Sequence, residues 1–176
     1  MIIGGIDASI HTQPPATIPY NNAHQDVVSQ SLTEIKIGDT LIHTNAGWVM
    51  HDLIIDSGSS GSLIDQKTYS HIIAKIASTC AGIGDQCWLD PESNSKCVEL
   101  DDISLLNNFP DISFVFSGQS VLWHPDQYLA MEDQEYPTYL CFGADVPPEG
   151  NSYLLGSRFM LEKDIVFGES NLQIYP

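Results

Sequence analysis

Residues 53–60 read Leu-Ile-Ile-Asp-Ser-Gly-Ser-Ser, so a carboxylate, Asp56, closes an apolar run and is followed at once by small hydroxylic residues and a glycine. A charge at that place is costly unless hydrogen bonds favour its ionised form. The hydroxyls of Ser57, Ser59 and Ser60, and backbone N–H groups freed by Gly58, are the nearest donors, and with them Asp56 is expected to be a buried acid kept charged for acid–base chemistry. The competing reading is a plain strand-to-turn exit, because Asp, Ser and Gly are ordinary turn residues. Further along, Leu154-Leu155-Gly156 is a second apolar pair closed by glycine and reads as another buried strand ending in a tight turn.

Other chemistries fit less well. Gly58-Ser59-Ser60-Gly61 resembles the start of a serine-hydrolase elbow, but Gly-x-Ser-x-Gly would need glycine where Ser62 stands. The four cysteines, Cys80, Cys87, Cys97 and Cys141, contain no Cys-x-x-Cys knuckle, and no pair of histidines has the His-x-x-x-His spacing, so no metal is expected. An even cysteine count suits disulfides in an oxidising compartment. With 23 acidic against 6 basic residues the net charge is −17, which repels nucleic acid and anionic membranes. No apolar run approaches the roughly 18 residues that cross a bilayer, so no membrane segment is expected within the chain. The start shows no basic n-region or cleavage site, so any secretory signal is expected upstream.

The elements that must position Asp56 are mostly strands. From residue 27 onward short β-rich segments alternate with turn signals: Leu32–Ile37 before Gly38-Asp39, Thr40–Thr44 before Asn45-Ala46-Gly47, then 48–55. Ile112, Phe114 and Phe116 alternate with Ser113 and Val115 and end at Ser117-Gly118; 121–123 is stopped by Pro125; 165–167 and 172–175 read as a closing hairpin. One helix stands out, with Tyr69, Ile72, Ile73, Ile76 and Ala77 on one face and Asp65 placed to cap it. Residues 11–22, with Pro14, Pro15 and Pro19, read as linker-like. Trp48, Trp88, Trp123, Tyr128 and Phe142 are expected as core or loop-anchoring aromatics. The predicted class is all-β, mainly antiparallel, with one or two short helices.

Apolar-apolar-Asp-Ser-Gly-Ser-Ser, followed at this distance by Leu-Leu-Gly, resembles the active-site loops of a pepsin-like aspartic peptidase lobe, in which the second element threads through the loop made by the first. The resemblance runs over nearly the whole chain. Ile3-Gly4-Gly5-Ile6-Asp7 is similar to the strand that opens the C-terminal lobe, and Phe109-Pro110-Asp111-Ile112-Ser113-Phe114 to its Pro-containing strand entry. Residues 125–129, Cys141-Phe142-Gly143, 154–160 and Asn171–Tyr175 match later landmarks in order. Cys80 after the helix and Trp123-His124-Pro125-Asp126-Gln127-Tyr128-Leu129 resemble the plasmepsin V branch more than pepsin itself; Cys87-Trp88 resembles both that branch and β-secretase.

What the resemblance implies is a single lobe over 1–176, the C-terminal one, with Asp56 as one of two catalytic aspartates. Ser59 would donate to its outer oxygen, Ser57 would reach the partner lobe, Gly58 would admit the substrate backbone, and Ser60 would shape the loop. Two carboxylates about 3 Å apart share a proton, so that one activates a water and the other donates to the scissile carbonyl. No second Asp-Thr/Ser-Gly follows an apolar run here, Asp7-Ala8-Ser9 and Asp164-Ile165 both failing, and no flap hairpin is visible. The expected partners are therefore the N-terminal lobe of the same enzyme and an extended polypeptide substrate, with no cofactor. A secretory, extracellular or acidic lumenal setting goes with the family. The explanations for the missing half are, in order of preference, a longer or split enzyme, a half-sized protein that pairs with itself, and a catalytically silent lobe kept as an interaction module. Chain order in the family favours Cys80–Cys87 with Cys97–Cys141, whereas the Cys87-Trp88 motif favours Cys87–Cys141; the first is preferred. Gly61-Ser62, where pepsin has an apolar pair, puts the packing of the loop in doubt.

Overall fold

Period-two alternation and turn residues place most strands where the sequence does. The structure, a computed structural model, describes residues 11–20, 32–44, 52–94, 96–131, 135–148 and 152–176, in which fifteen strands form four sheets. The opening segment Ile3-Gly4-Gly5-Ile6-Asp7 and Trp48 lie outside the described residues.

β1 (Ala16–Pro19) is the edge of a three-stranded sheet, antiparallel to β15 (Asn171–Tyr175), which pairs in turn with β14 (Asp164–Phe167). This corrects the linker-like reading of 11–22. Ala16 and Ile18 are buried while Thr17 and Pro19 face out, and an edge strand tolerates the proline because one side of its backbone needs no partner. The 164–175 pair is the expected closing hairpin.

A second sheet, in the order β3-β2-β8-β9, joins β2 (Leu32–Ile37), β3 (Thr40–Thr44), β8 (Ile112–Phe116) and β9 (Gln119–Trp123). Ser117 and Gly118 both take positive φ, 48° and 87°, which matches the twist a two-residue hairpin needs. β9 ends at Trp123, and Pro125 opens the short helix that follows. A third sheet, β12-β5-β13-β4, holds β4 (Asp52–Ile55), β5 (Ser62–Leu63), β12 (Ala144–Asp145) and β13 (Ser152–Leu155), and contains the two parallel pairings, β4 with β13 and β5 with β12. The fourth, β10-β11-β7-β6, is built from β6 (Cys87–Leu89), β7 (Cys97–Leu100), β10 (Leu129–Met131) and β11 (Tyr139–Phe142).

Helix α1 (Gln66–Ile83) buries Thr68, Ile72, Ile76 and Cys80 as one i, i+4 stripe, flanked by Tyr69, Ile73 and Ala77. Two single-turn helices, α2 (Pro125–Tyr128) and α3 (Ser157–Met160), and a 3-10 helix over Ile103–Asn108 complete the elements. The core gathers Phe114, Trp123, Tyr128, Phe142 and Phe159, whose rings meet mostly edge-on or tilted; Phe114 and Phe159 lie 5.5 Å apart between centroids. Trp88 departs from expectation: on the edge strand β6 it is 71% exposed, not core.

Asp65 caps α1 as expected, its Oδ1 accepting from the Lys67 and Thr68 amides at 2.9 and 3.1 Å. Its Oδ2 accepts from the Tyr153 hydroxyl and lies 3.5 Å from His43 Nε2. Burial lowers the pKa of His43 below 6.5, against the pull of the Asp65 charge, while nearby Lys67 and His71 push it the same way as burial. The unfolded chain therefore takes this proton before the folded one does, so stability should fall as pH drops from about 6.5 through the lowered value and then level off. Asp65 shifts down as well, its burial outweighed by hydrogen bonds from Thr68 and Tyr153 and by His43, so its contribution is lost in a later, more acid window below 3.8. Thermal unfolding scanned against pH should show both declines, and His43→Gln should flatten the first and reduce the second only in part, because Thr68 and Tyr153 still hydrogen-bond Asp65.

Candidate functional site

The candidate site is the loop between β4 and β5. β13 runs between these two strands, parallel to β4 with Leu155 opposite Ile55, and antiparallel to β5 with Leu154 opposite Leu63. Beyond β13 the chain passes under the loop. The Asp56 amide donates to the Leu155 carbonyl at 3.0 Å, and the Ser157 amide donates to the Ser59 carbonyl at 2.7 Å. The Gly156 amide donates to Ser62 Oγ at 3.1 Å. A Cβ on Gly156 would lie 2.1 Å from the Gly61 carbonyl oxygen and 2.6 Å from that of Ser59, so only glycine fits the crossing. Leu154, Leu155 and Gly156 are thus brought against the Asp56 loop.

The carboxylate is cradled from one side. Gly58 N–H donates to Asp56 Oδ1 at 2.8 Å and Ser59 Oγ donates to Oδ2 at 2.7 Å. The Ser59 bond first, then the Gly58 amide, hold the Asp56 carboxyl below its ordinary pKa, with little desolvation to oppose them. A Cβ at Gly58 would sit 3.1 Å from Asp56 Oδ1, so this glycine also keeps the carboxylate's own amide contact open. Ser57 and Ser60 are exposed beside it; Ser60 supplies only a long carbonyl contact, 3.5 Å, to Ser157 Oγ. The expectation of a fully buried Asp56 is not met, because the side chain is only partly buried. The acid is half-exposed, and hydrogen bonds, not an apolar wall, set its charge.

The model of the family described as eukaryotic aspartyl protease matches residues 1–175. The chain belongs to the eukaryotic aspartyl protease family. It is similar to Aspartic protease 3 of Toxoplasma gondii, with 27% identity over 175 residues that cover 97% of this chain and 24% of that protein. The chain therefore spans about a quarter of the length of this curated relative.

Within the aspartyl protease framework Ser62 gains a clear part. Its departure from the pepsin pair does not loosen the loop: Ser62 is 2% exposed, its amide donates to the Gly143 carbonyl at 3.0 Å, and its hydroxyl accepts from Gly156. A small polar residue inside a buried strand, opposite a glycine amide that needs an acceptor, was the available signal. Among the described residues no group of three His, Cys, Asp or Glu side chains is placed to hold a metal, and no helix is long and apolar enough to cross a membrane.

Cys80–Cys87 ties the last turns of α1 to β6, and Cys97–Cys141 joins directly opposed residues of β7 and β11. The preferred pairing is the one formed. The sequence separations are 7 and 44, so the second bond restrains the unfolded chain more. Chain-entropy reasoning gives roughly 4 kcal/mol for the longer loop against roughly 2 kcal/mol for the shorter. Replacing Cys97 and Cys141 with alanine should accordingly lower the urea midpoint more than replacing Cys80 and Cys87, and the reverse order would contradict this assignment of the restraint.

Proposed function

We propose that this chain is the C-terminal lobe of an aspartic endopeptidase and supplies Asp56 as one of its two catalytic carboxylates. The observation that carries the reading is the cradle itself: a half-exposed carboxylate, hydrogen-bonded by Ser59 and Gly58 on its own side and open on the other, mounted on a loop that β13 locks in place. One such group cannot both activate a water and protonate a carbonyl. Facing a second carboxylate about 3 Å away, the pair would share one proton and divide those tasks. Ser57, exposed next to Asp56, would contact the partner loop, and an extended polypeptide would lie between the lobes. The partner is the N-terminal lobe of the same enzyme, on the same precursor or a split chain. Two disulfides and the family suit an extracellular or acidic lumenal compartment of the secretory pathway. Cys80 and the 123–129 segment favour the plasmepsin V branch.

The test is to join the chain to a lobe carrying the missing Asp-Thr/Ser-Gly, or to express the full precursor, and assay peptide cleavage at acidic and neutral pH. Cleavage by the joined protein and none by the isolated chain supports the reading. A folded, joined protein that cleaves nothing would favour a silent interaction module.

A further inference from the structure

A buried polar cluster beneath the site is unused by the acid–base chemistry just described. Asp65, Thr68 and Tyr153 are 8%, 0% and 1% exposed, yet all carry polar groups, and they come from different elements: Asp65 caps α1, Thr68 lies in its first turn, and Tyr153 is on β13. Tyr153 donates to Asp65 Oδ2, and its oxygen lies 2.8 Å from Thr68 Oγ1. Polar groups sealed in a core are costly unless they fix something, and this set joins two parts of the chain 88 residues apart.

What it joins is specific. Tyr153 precedes Leu155 by two residues on β13, so both side chains share the face turned into the core, and Leu155 is the residue whose carbonyl receives the Asp56 amide. Asp65 ends the short segment by which the Asp56 loop leaves through β5 and enters α1. We propose that Tyr153 and Asp65 are positioning residues that fix the crossing strand relative to the exit of the Asp56 loop, and so set where that carboxylate stands. This rests on the peptidase reading above. Without the tether Ile72 and Ile76 of α1 and Leu155 of β13 remain in one apolar core, but apolar burial is non-directional and does not by itself fix where β13 stands relative to the start of α1. A shift of about 1 Å in a reacting group costs on the order of a hundredfold in rate.

The experiment separates capping from tethering. Asp65→Ser keeps one hydroxyl oxygen as acceptor for the Lys67 and Thr68 amides, so the helix cap survives, but it has no second oxygen to accept from Tyr153. Tyr153→Phe removes the same bond from the other end and keeps the ring in the core. In the enzyme with both lobes, each substitution should lower kcat about 10- to 100-fold with KM within about twofold, at a temperature where the variant is fully folded. The double variant should be no worse than the more damaging single by more than about twofold, and Ser70→Ala on the same helix should change nothing. In the 176-residue chain itself, hydrogen exchange at the Asp56 amide should accelerate in both tether variants and not in Ser70→Ala. Unchanged kcat in either variant, or unchanged Asp56 exchange in both, overturns the proposal; if one variant does not fold, the other still decides. Wild-type protein with both lobes that shows no cleavage would instead count against the peptidase reading, while the exchange measurement would continue to test the tether.

Discussion

In the proposed two-lobed enzyme, Asp56→Asn is expected to lower kcat by at least about a thousandfold while leaving the fold in place. Asparagine has nearly the shape of aspartate and keeps an acceptor for the Gly58 amide, so the loop geometry is preserved. What it lacks is the charge and the ability to share a proton with a facing carboxylate, and both are needed to polarise a water and return a proton to the leaving group. Because Asp56 is half-exposed and its neighbours are turn residues, the unfolding temperature should stay close to that of the wild type. Ser59→Ala should give a smaller loss: it removes the main hydrogen bond holding the acid ionised and should move the acid limb of the rate profile toward higher pH. Cleavage that survives Asp56→Asn at wild-type rate would remove this residue from the chemistry.

Gly156→Ala is expected to be the most damaging single methyl in the described chain. Its Cβ would lie 2.1 Å from one backbone oxygen and 2.6 Å from another, and neither can rotate away as a side-chain end would. Relief requires moving the 59–61 loop or β13, which breaks the Ser59–Ser157 and Ser62–Gly156 bonds together. A cost of about 3 kcal/mol or more follows from overpacking, and at this chain length that lowers the unfolding temperature by at least about 6 °C. Gly82→Ala is the matched control. No heavy atom lies within 4 Å of its would-be Cβ in α1, so alanine there should raise stability by about 0.5 kcal/mol or slightly more. Calorimetry on the two variants reads the contrast; equal effects would show that the crossing is looser than the distances say.

The antiparallel frame was legible because its signals are local. Leu32–Ile37, Thr40–Thr44 and Ile112–Phe116 begin and end where alternation and turn residues put them, and Asp65 caps α1 as its position before an apolar stripe implies. β1 was hidden by prolines that break most strands but are tolerated at an edge, and its alternation of Ala16 and Ile18 was the fainter sign. Trp88 was misplaced because residue type does not say whether a strand is central or at an edge, and β6 is at an edge. At the site, the Asp-Ser-Gly-Ser pattern pointed to the cradle, but the apolar run before it suggested burial that the loop does not provide. The Ser62–Gly156 and Asp65–Tyr153 links join residues far apart in sequence, and no spacing rule reaches across them.

All of this turns on one carboxyl group, which two neighbours keep charged in the lobe and which a facing acid would oppose. Carbon-13 NMR titration of the Asp56 side chain, first in this chain and then in the two-lobed protein, reads that directly. The midpoint is expected below that of an ordinary aspartate in this chain alone, with two coupled steps spread to either side of it once the proposed second carboxylate is in place. A single ordinary aspartate titration in both would contradict it.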